Sequence, residues 1–115
     1  MNSMRNKVQL VGNLGTDPEI KLLESGKKRA RISLATNDIY KSGEGETVRE
    51  TQWHQVIAWG KLADKAEKYL KKGSELFIEG RLHTRDYIDK EGNKRYITEV
   101  VASSLLPIVK SEEED

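Results

Sequence analysis

Residues 51–70, TQWHQVIAWGKLADKAEKYL, decide the fold, because they place a strand directly before a short helix. Residues 51–60 are rich in β-branched and aromatic side chains, which is typical of a strand. Residues 62–70 then place apolar side chains at helical spacing, and Gly73 supplies a stop signal. The sequence therefore predicts one brief helix after a tryptophan-bearing strand.

Trp53 and Trp59 are six residues apart, so both indoles project from one face of this strand. The opposite face carries His54, Val56 and Ala58, which suit the interior of a small barrel. We therefore expect the tryptophan face to be partly solvated. The alternative, that both rings belong to the core, stays open at this point because tryptophan is usually well buried.

Alternating apolar residues and turn signals predict further strands on both sides. They cover residues 7–14, 29–40, 74–84 and 95–106, with a short extended piece at 20–23, a mobile hairpin loop at 41–50 and a turn at 89–94. Gly12 indicates a bend or a close backbone approach. This order predicts an all-β fold, a five-stranded OB-fold barrel with one short helix between strands 3 and 4. Other small barrels are the alternative, but an SH3-like barrel has no natural place for that helix.

Composition predicts one soluble cytoplasmic domain. The 115 residues include no cysteine and no apolar run long enough to span a membrane. All 20 basic residues but only 15 of the 19 acidic ones precede Ser111, so residues 1–110 carry +5 and the last four residues carry −4. We divide the chain into a binding domain, 1–110, and a short acidic tip, 111–115.

A basic body with two exposed flat rings predicts binding to single-stranded nucleic acid, whose unpaired bases stack on aromatic side chains. Phosphates between the stacked bases need cations. Eight residues on strands or loops could border the rings: Lys7, Lys21, Arg31, Lys41, Lys61, Lys72, Arg85 and Arg95. For any one of them, a solvated charge without a partner is the alternative. The Lys27-Lys28-Arg29 run is assigned to a loop.

The sequence does not predict an enzyme or a cofactor site. It has two histidines, His54 and His83, no cysteine and no carboxylate pair at metal-ligand spacing. Asp86 and Asp89 beside His83 could hold a metal in principle. The aromatic Tyr87 and the surrounding hairpin explain that segment better, so no metal is expected.

The chain resembles the bacterial single-stranded DNA-binding protein family, SSB, from about Asn6 to Val101. The motifs that carry the resemblance are Asn6 to Glu19, Leu34-Ala35-Thr36, Thr51-Gln52-Trp53-His54, Gly60-Lys61-Leu62-Ala63, Tyr69 to Gly73, and Ile78-Glu79-Gly80-Arg81-Leu82. The resemblance implies an OB fold, a homotetramer, and roles in DNA replication, recombination and repair. It places the stacking rings at Tyr40, Trp53, Trp59 and Tyr87, and His54 at a subunit interface.

The C-terminus departs from the family pattern, which continues through a Gly- and Pro-rich linker to an acidic tip ending in Pro-Phe. Here the sequence closes on Ser111-Glu112-Glu113-Glu114-Asp115. Replication and repair proteins stay candidate partners, but this docking tip is incomplete. The resemblance implies a cytoplasmic, nucleoid-associated protein. The alternative function is an SSB-related accessory module that binds protein or RNA.

Overall fold

The computed structural model describes residues 5–109, which form six strands and one helix; the acidic tip lies outside the described residues. The elements are β1 (Val8–Leu14), β2 (Glu19–Leu22), β3 (Lys28–Lys41), β4 (Thr47–Trp59), α1 (Lys61–Tyr69), β5 (Glu75–Ile88) and β6 (Lys94–Ile108). No helix in this part of the chain is long and apolar enough to cross a membrane.

The strands form one sheet in the order β1-β5-β6-β4-β3-β2, and a pairing of β1 with β3 closes it into a barrel. All pairings are antiparallel except that of β4 with β6. The barrel and its single helix agree with the predicted architecture. Residues 19–22 count as a sixth strand because they pair with the start of β3, and the helix follows the third of the five longer strands.

The core fills the barrel with the inward-facing residues that alternate along each of the five longer strands. Its largest fully buried side chains are Ile32, Leu34, Val56, Leu76, Ile78 and Leu105. Ala63 and Ala66 of α1 pack against this cluster with no exposed surface, so the helix closes one end of the barrel. Val56 and Ala58 lie in the core as the alternation in β4 predicts.

Two glycines allow the barrel strands to approach each other closely. A Cβ on Gly12 would lie 2.2 Å from the carbonyl oxygen of Ala35, and one on Gly80 would lie 2.2 Å from that of Val101. Any side chain at either position would collide with backbone. The close approach predicted at Gly12 is confirmed, and Gly80 adds a second one beside a register shift in the β5–β6 pairing.

The two long hairpins extend further than the sequence predicts. The predicted loop 41–50 is wrong for residue 41 and for residues 47–50, because residues 47–50 pair with residues 38–41. Likewise β5 continues to Ile88 and β6 begins at Lys94. Beyond the barrel both faces of each hairpin are solvated, so the alternation of apolar and polar residues that marks a strand is lost there. The strand predicted from residue 29 begins one residue earlier, at Lys28, so the loop assigned to Lys27-Lys28-Arg29 is wrong for its last two residues.

Candidate nucleic-acid interface

Both tryptophans lie on β4, on the outer surface of the barrel. Trp53 is 60% exposed and Trp59 is 40% exposed, so neither indole belongs to the core. The prediction of a partly solvated tryptophan face is confirmed. Between the two rings, Ile57 is buried on this same outer face, beside Val101 of β6.

Each indole is held by a different neighbour. Trp53 lies against the backbone of Gly15, where a Cβ would come within 2.5 Å of the six-membered ring. The ammonium group of Lys27 lies over the Trp59 ring, 5.9 Å from its centroid. Gly15 therefore restricts where the Trp53 ring can lie, and Lys27 already occupies one side of Trp59.

A groove of about 380 Å³ opens between Trp59 and the β5–β6 ribbon. Besides Trp59, its walls are formed by Arg29, Arg31, Ile57, Arg81, His83, Arg85, Glu99 and Val101. Four arginines and one carboxylate give this arginine groove a formal charge of +3 with neutral histidine. Such a concentration of cations favours an anionic ligand.

Glu99 is the one buried charged residue in the described chain, at 5% exposure. It forms a bidentate ion pair with Arg85. Nε of Arg85 donates to one carboxylate oxygen and a terminal nitrogen donates to the other, each at 3.1 Å. This hydrogen-bonded carboxylate raises the pKa of Arg85. Arg85 is therefore neutralised within the groove and fixed in place.

The two tyrosines predicted to stack lie on different faces. Tyr87 alternates with Arg85 and His83 along β5, so it continues the surface of the arginine groove. Tyr40 pairs with Val48 in an unbroken register, which puts it on the opposite face of the β3–β4 hairpin from Trp53. Both are exposed, at 44% and 49%.

Several of the predicted phosphate-binding cations already have a carboxylate partner. Lys7 binds Glu79 at 2.8 Å, and this hydrogen bond holds the pKa of Glu79 below its usual value. Arg95 binds Asp89 at 2.8 Å. Lys28, outside the predicted set, pairs with Asp64 and Glu67 of the helix.

The remaining predicted cations are spread around the domain. Lys21 pairs in register with Arg29 and so extends the tryptophan face across β2. Lys61 begins α1 two residues after Trp59, and Lys41 ends β3 at its hairpin. The Lys72 backbone N–H donates to Asp17, which places this residue at the β1–β2 turn rather than in the arginine groove.

The prediction omitted Arg29 and Arg81, which the structure places in the groove. The sequence did contain a signal for both. Arg29 is two residues from Arg31 and Arg81 is four residues from Arg85, so each lies on the same strand face as a predicted site residue. What the sequence did not show is that β4 and β6 run side by side and so bring β3 and β5 together.

His54 lies on the inner side of β4 and is half-buried at the barrel rim. Its Nε2 is 3.0 Å from the hydroxyl of Thr36. Within residues 5–109 no three metal-binding side chains come together. Asp86 and Asp89, considered as metal ligands beside His83, instead pair with Lys94 and Arg95.

Comparison with known proteins identifies the family. The model of the single-strand binding protein family matches residues 5–108. This chain belongs to that family. It is 42% identical over 94% of its length to single-stranded DNA-binding protein 1 of Xylella fastidiosa, covering 80% of that protein. It is 46% identical over 87% of its length to single-stranded DNA-binding protein 1 of Chlorobaculum tepidum, covering 62% of that one.

A solved structure shares the fold. A chain of the Plasmodium falciparum SSB complex with ssDNA matches 95% of this chain and 100% of its own length, with a TM-score of 0.81 and 34% identity. Family membership confirms the resemblance seen in the sequence. It also agrees with the prediction of a binding protein rather than an enzyme and does not favour the accessory-module alternative.

Proposed function

We propose that this protein binds single-stranded DNA without regard to base sequence and protects it during replication, recombination and repair. Bases stack on Trp53, Trp59 and Tyr87, and the cations of the surrounding face neutralise the phosphates. Tyr40 would contribute a fourth ring from the other face of its hairpin. A strand that uses all four rings must therefore pass around the edge of the β3–β4 hairpin.

The exposure of two indoles on a cationic surface carries this proposal. An exposed tryptophan forgoes burial that normally stabilises a fold, so two on one face indicate a ligand with flat apolar surfaces. Nucleobases have such surfaces, and each stacked base contributes about 1–3 kcal/mol whatever its identity. Membership of the single-strand binding protein family supports the same conclusion.

Titration of tryptophan fluorescence with oligo(dT) tests the proposal directly, because both tryptophans lie on the proposed surface. Stacking should quench the emission to saturation, and a duplex of the same length should quench far less since its bases are already paired. A mobility assay on the same samples shows whether the DNA is bound. Unchanged emission in samples where oligo(dT) is bound to saturation would exclude stacking on these rings.

We also propose that the domain assembles with copies of itself into a homotetramer. On one edge, β1 pairs with β3 only at Asn13 and Leu14, so within residues 5–109 the rest of that edge has no strand partner. Next to it, Val11 and Leu106 are 49% and 54% exposed on either side of Phe77. An open strand edge beside an apolar row suits a second copy of the chain.

His54 is the proposed contact at a subunit boundary, as the resemblance implies. Replacing it with lysine would bury an unpaired cation there and weaken assembly by several kcal/mol. Sedimentation velocity of the parent and of His54→Lys measures this. A monomeric parent would refute the tetramer, and an undisturbed tetramer in the variant would remove His54 from the boundary. The cytoplasmic, nucleoid-associated location belongs to the same proposal.

A further inference from the structure

Three arginines of the arginine groove have no acceptor among residues 5–109. Arg29 and Arg31 reach it from β3, and Arg81 reaches it from β5. None of the three forms an ion pair or a side-chain hydrogen bond with the described residues. The Nε atoms of Arg29 and Arg31 are in addition buried without any hydrogen-bond partner.

This arrangement is costly for a folded protein by itself. A buried N–H donor without an acceptor loses its hydrogen bond to water and gains nothing in return. Cations drawn together in a groove also repel one another more strongly than they would in open water. An anion held between them would offset both effects, because each guanidinium offers five donors.

Glu99 does not supply that anion to the three arginines. Both of its carboxylate oxygens accept hydrogen bonds from Arg85. It pairs with Arg85 alone among the groove arginines, so Arg29, Arg31 and Arg81 have no ion-pair partner among the described residues. The same groove thus contains one neutralised arginine, held by a bidentate pair, and three that are available for a ligand.

We propose that Arg29, Arg31 and Arg81 form a phosphate site for the nucleotide whose base stacks on Trp59. This rests on the proposed function and deepens it. Trp59 lines the same groove and is the cross-strand partner of Arg29, and Arg31 is the partner of Ile57 two residues earlier. A base on the indole thus has its backbone beside the guanidinium groups, over a floor of Ile57 and Val101.

The test pairs a protein change with a backbone change in the DNA. The variant Arg29→Gln/Arg31→Gln and the parent are titrated with oligo(dT) and with oligo(dT) whose linkages are uncharged methylphosphonates. The expected result is at least a tenfold loss of affinity for the phosphodiester strand and little or none for the methylphosphonate strand. The slope of log affinity against log salt is negative, and it should become shallower by about 0.7 for each phosphate that the variant no longer neutralises.

Lys65→Gln/Lys68→Gln is the charge-matched control, because both lysines lie in α1 and neither lines the groove. It should leave affinity and salt slope within twofold of the parent. Chemical denaturation of the double variant checks folding. Arg81→Gln alone should likewise lose affinity for the phosphodiester strand and keep its affinity for the methylphosphonate strand. These variants leave Trp53 and Trp59 in place, so quenching at saturation reports stacking separately.

Two results would overturn the phosphate site while leaving the proposed function intact. One is unchanged phosphodiester affinity in the double variant when the parent binds. The other is an equal loss on charged and uncharged strands, which would show that the arginines contact bases. Failure of the parent to bind oligo(dT) at all would instead remove the proposed function.

Discussion

The outer surface of the β5–β6 ribbon has two halves that differ in chemistry. In the apolar half, next to β1, Phe77 lies in register between Val11 and Leu106. In the cationic half, next to β4, Arg81, His83 and Arg85 line the arginine groove. The register shift at Glu79/Gly80 separates the halves. There the Ser103 hydroxyl donates a hydrogen bond to the Glu79 carbonyl oxygen.

The difference shows how one pair of strands can serve two kinds of partner. The bulge turns the ribbon, so that each half lies beside a different neighbouring strand. An apolar row beside an open edge suits another protein surface, and the groove of arginines suits an anionic strand. Assembly and DNA binding should therefore be separable by mutations on either side of the bulge.

The largest expected effect is on the ion pair that orders the cationic half. Arg85→Gln leaves the buried Glu99 carboxylate without its partner, and breaking such a pair should lower the free energy of unfolding by about 3 kcal/mol. Urea denaturation measures this. Lys94→Gln is the control, since its pair with Asp86 is exposed and should contribute at most about 0.5 kcal/mol.

A second variant separates the unpaired charge from other effects of losing Arg85. Adding Glu99→Gln to Arg85→Gln removes the carboxylate and should restore part of the lost stability. If Arg85→Gln unfolds at the same urea concentration as Lys94→Gln, the groove does not depend on this pair.

The next effect concerns the apolar half. Leu106→Asp places a charge in the row shared with Val11 and Phe77, and we expect it to weaken self-association by about 2 kcal/mol. Analytical ultracentrifugation measures the loss, and quenching by short oligo(dT) should persist in the dissociated protein. Leu22→Asp, at a residue that is 70% exposed on β2, is the control and should leave assembly unchanged. Equal sedimentation of both variants would remove the apolar half from the interface.

Removing either exposed tryptophan ring should weaken DNA binding. Trp53→Ala and Trp59→Ala should each cost about 1–3 kcal/mol of affinity while the free energy of unfolding changes little, because both rings are exposed. Anisotropy with labelled oligo(dT) measures affinity, and urea denaturation measures stability. A loss of about 3–5 kcal/mol in stability with normal affinity would instead indicate a packing role.

Tyrosines at the end of the β5–β6 ribbon sharpen the same point. Tyr87 lies on the groove face, whereas Tyr96 lies on the other face and is 67% exposed. Tyr87→Ala should therefore weaken binding more than Tyr96→Ala.

The smallest expected effect lies at the tip of this ribbon, where Asp89 organises the turn. The hydrogen bond from Arg95, with those from the backbone of Asn93 and Glu91, lowers the pKa of Asp89 below 3.8. A lowered folded-state pKa contributes stability above the unfolded value, and this contribution is lost as the pH falls through the folded value. Denaturation of Asp89→Asn from pH 7 down to pH 2 should show a modest deficit at neutral pH that shrinks as the pH falls through the lowered pKa of Asp89 in the parent. A deficit independent of pH would contradict this.

Much of the barrel follows from local patterns. Alternation in β4 predicts which side Trp53 and Trp59 take, and it also puts Val56 and Ala58 in the core, because strand side chains alternate whatever surrounds them. The spacing of apolar residues in 62–70 similarly predicts α1, and a glycine within a strand predicts the close approach at Gly12. The hairpin ends were harder, since strands solvated on both faces lose the pattern.

Only the tertiary structure decides which cations form a site. From the sequence, Lys7 and Arg95 look no different from Arg31, yet the first two face carboxylates and the third faces a groove. The difference arises because β4 and β6 pair in parallel, which joins residues of β3 and β5 that are about 50 positions apart. Alternation along a strand is local and can be read from the chain, whereas the charge of a groove depends on which strands become neighbours.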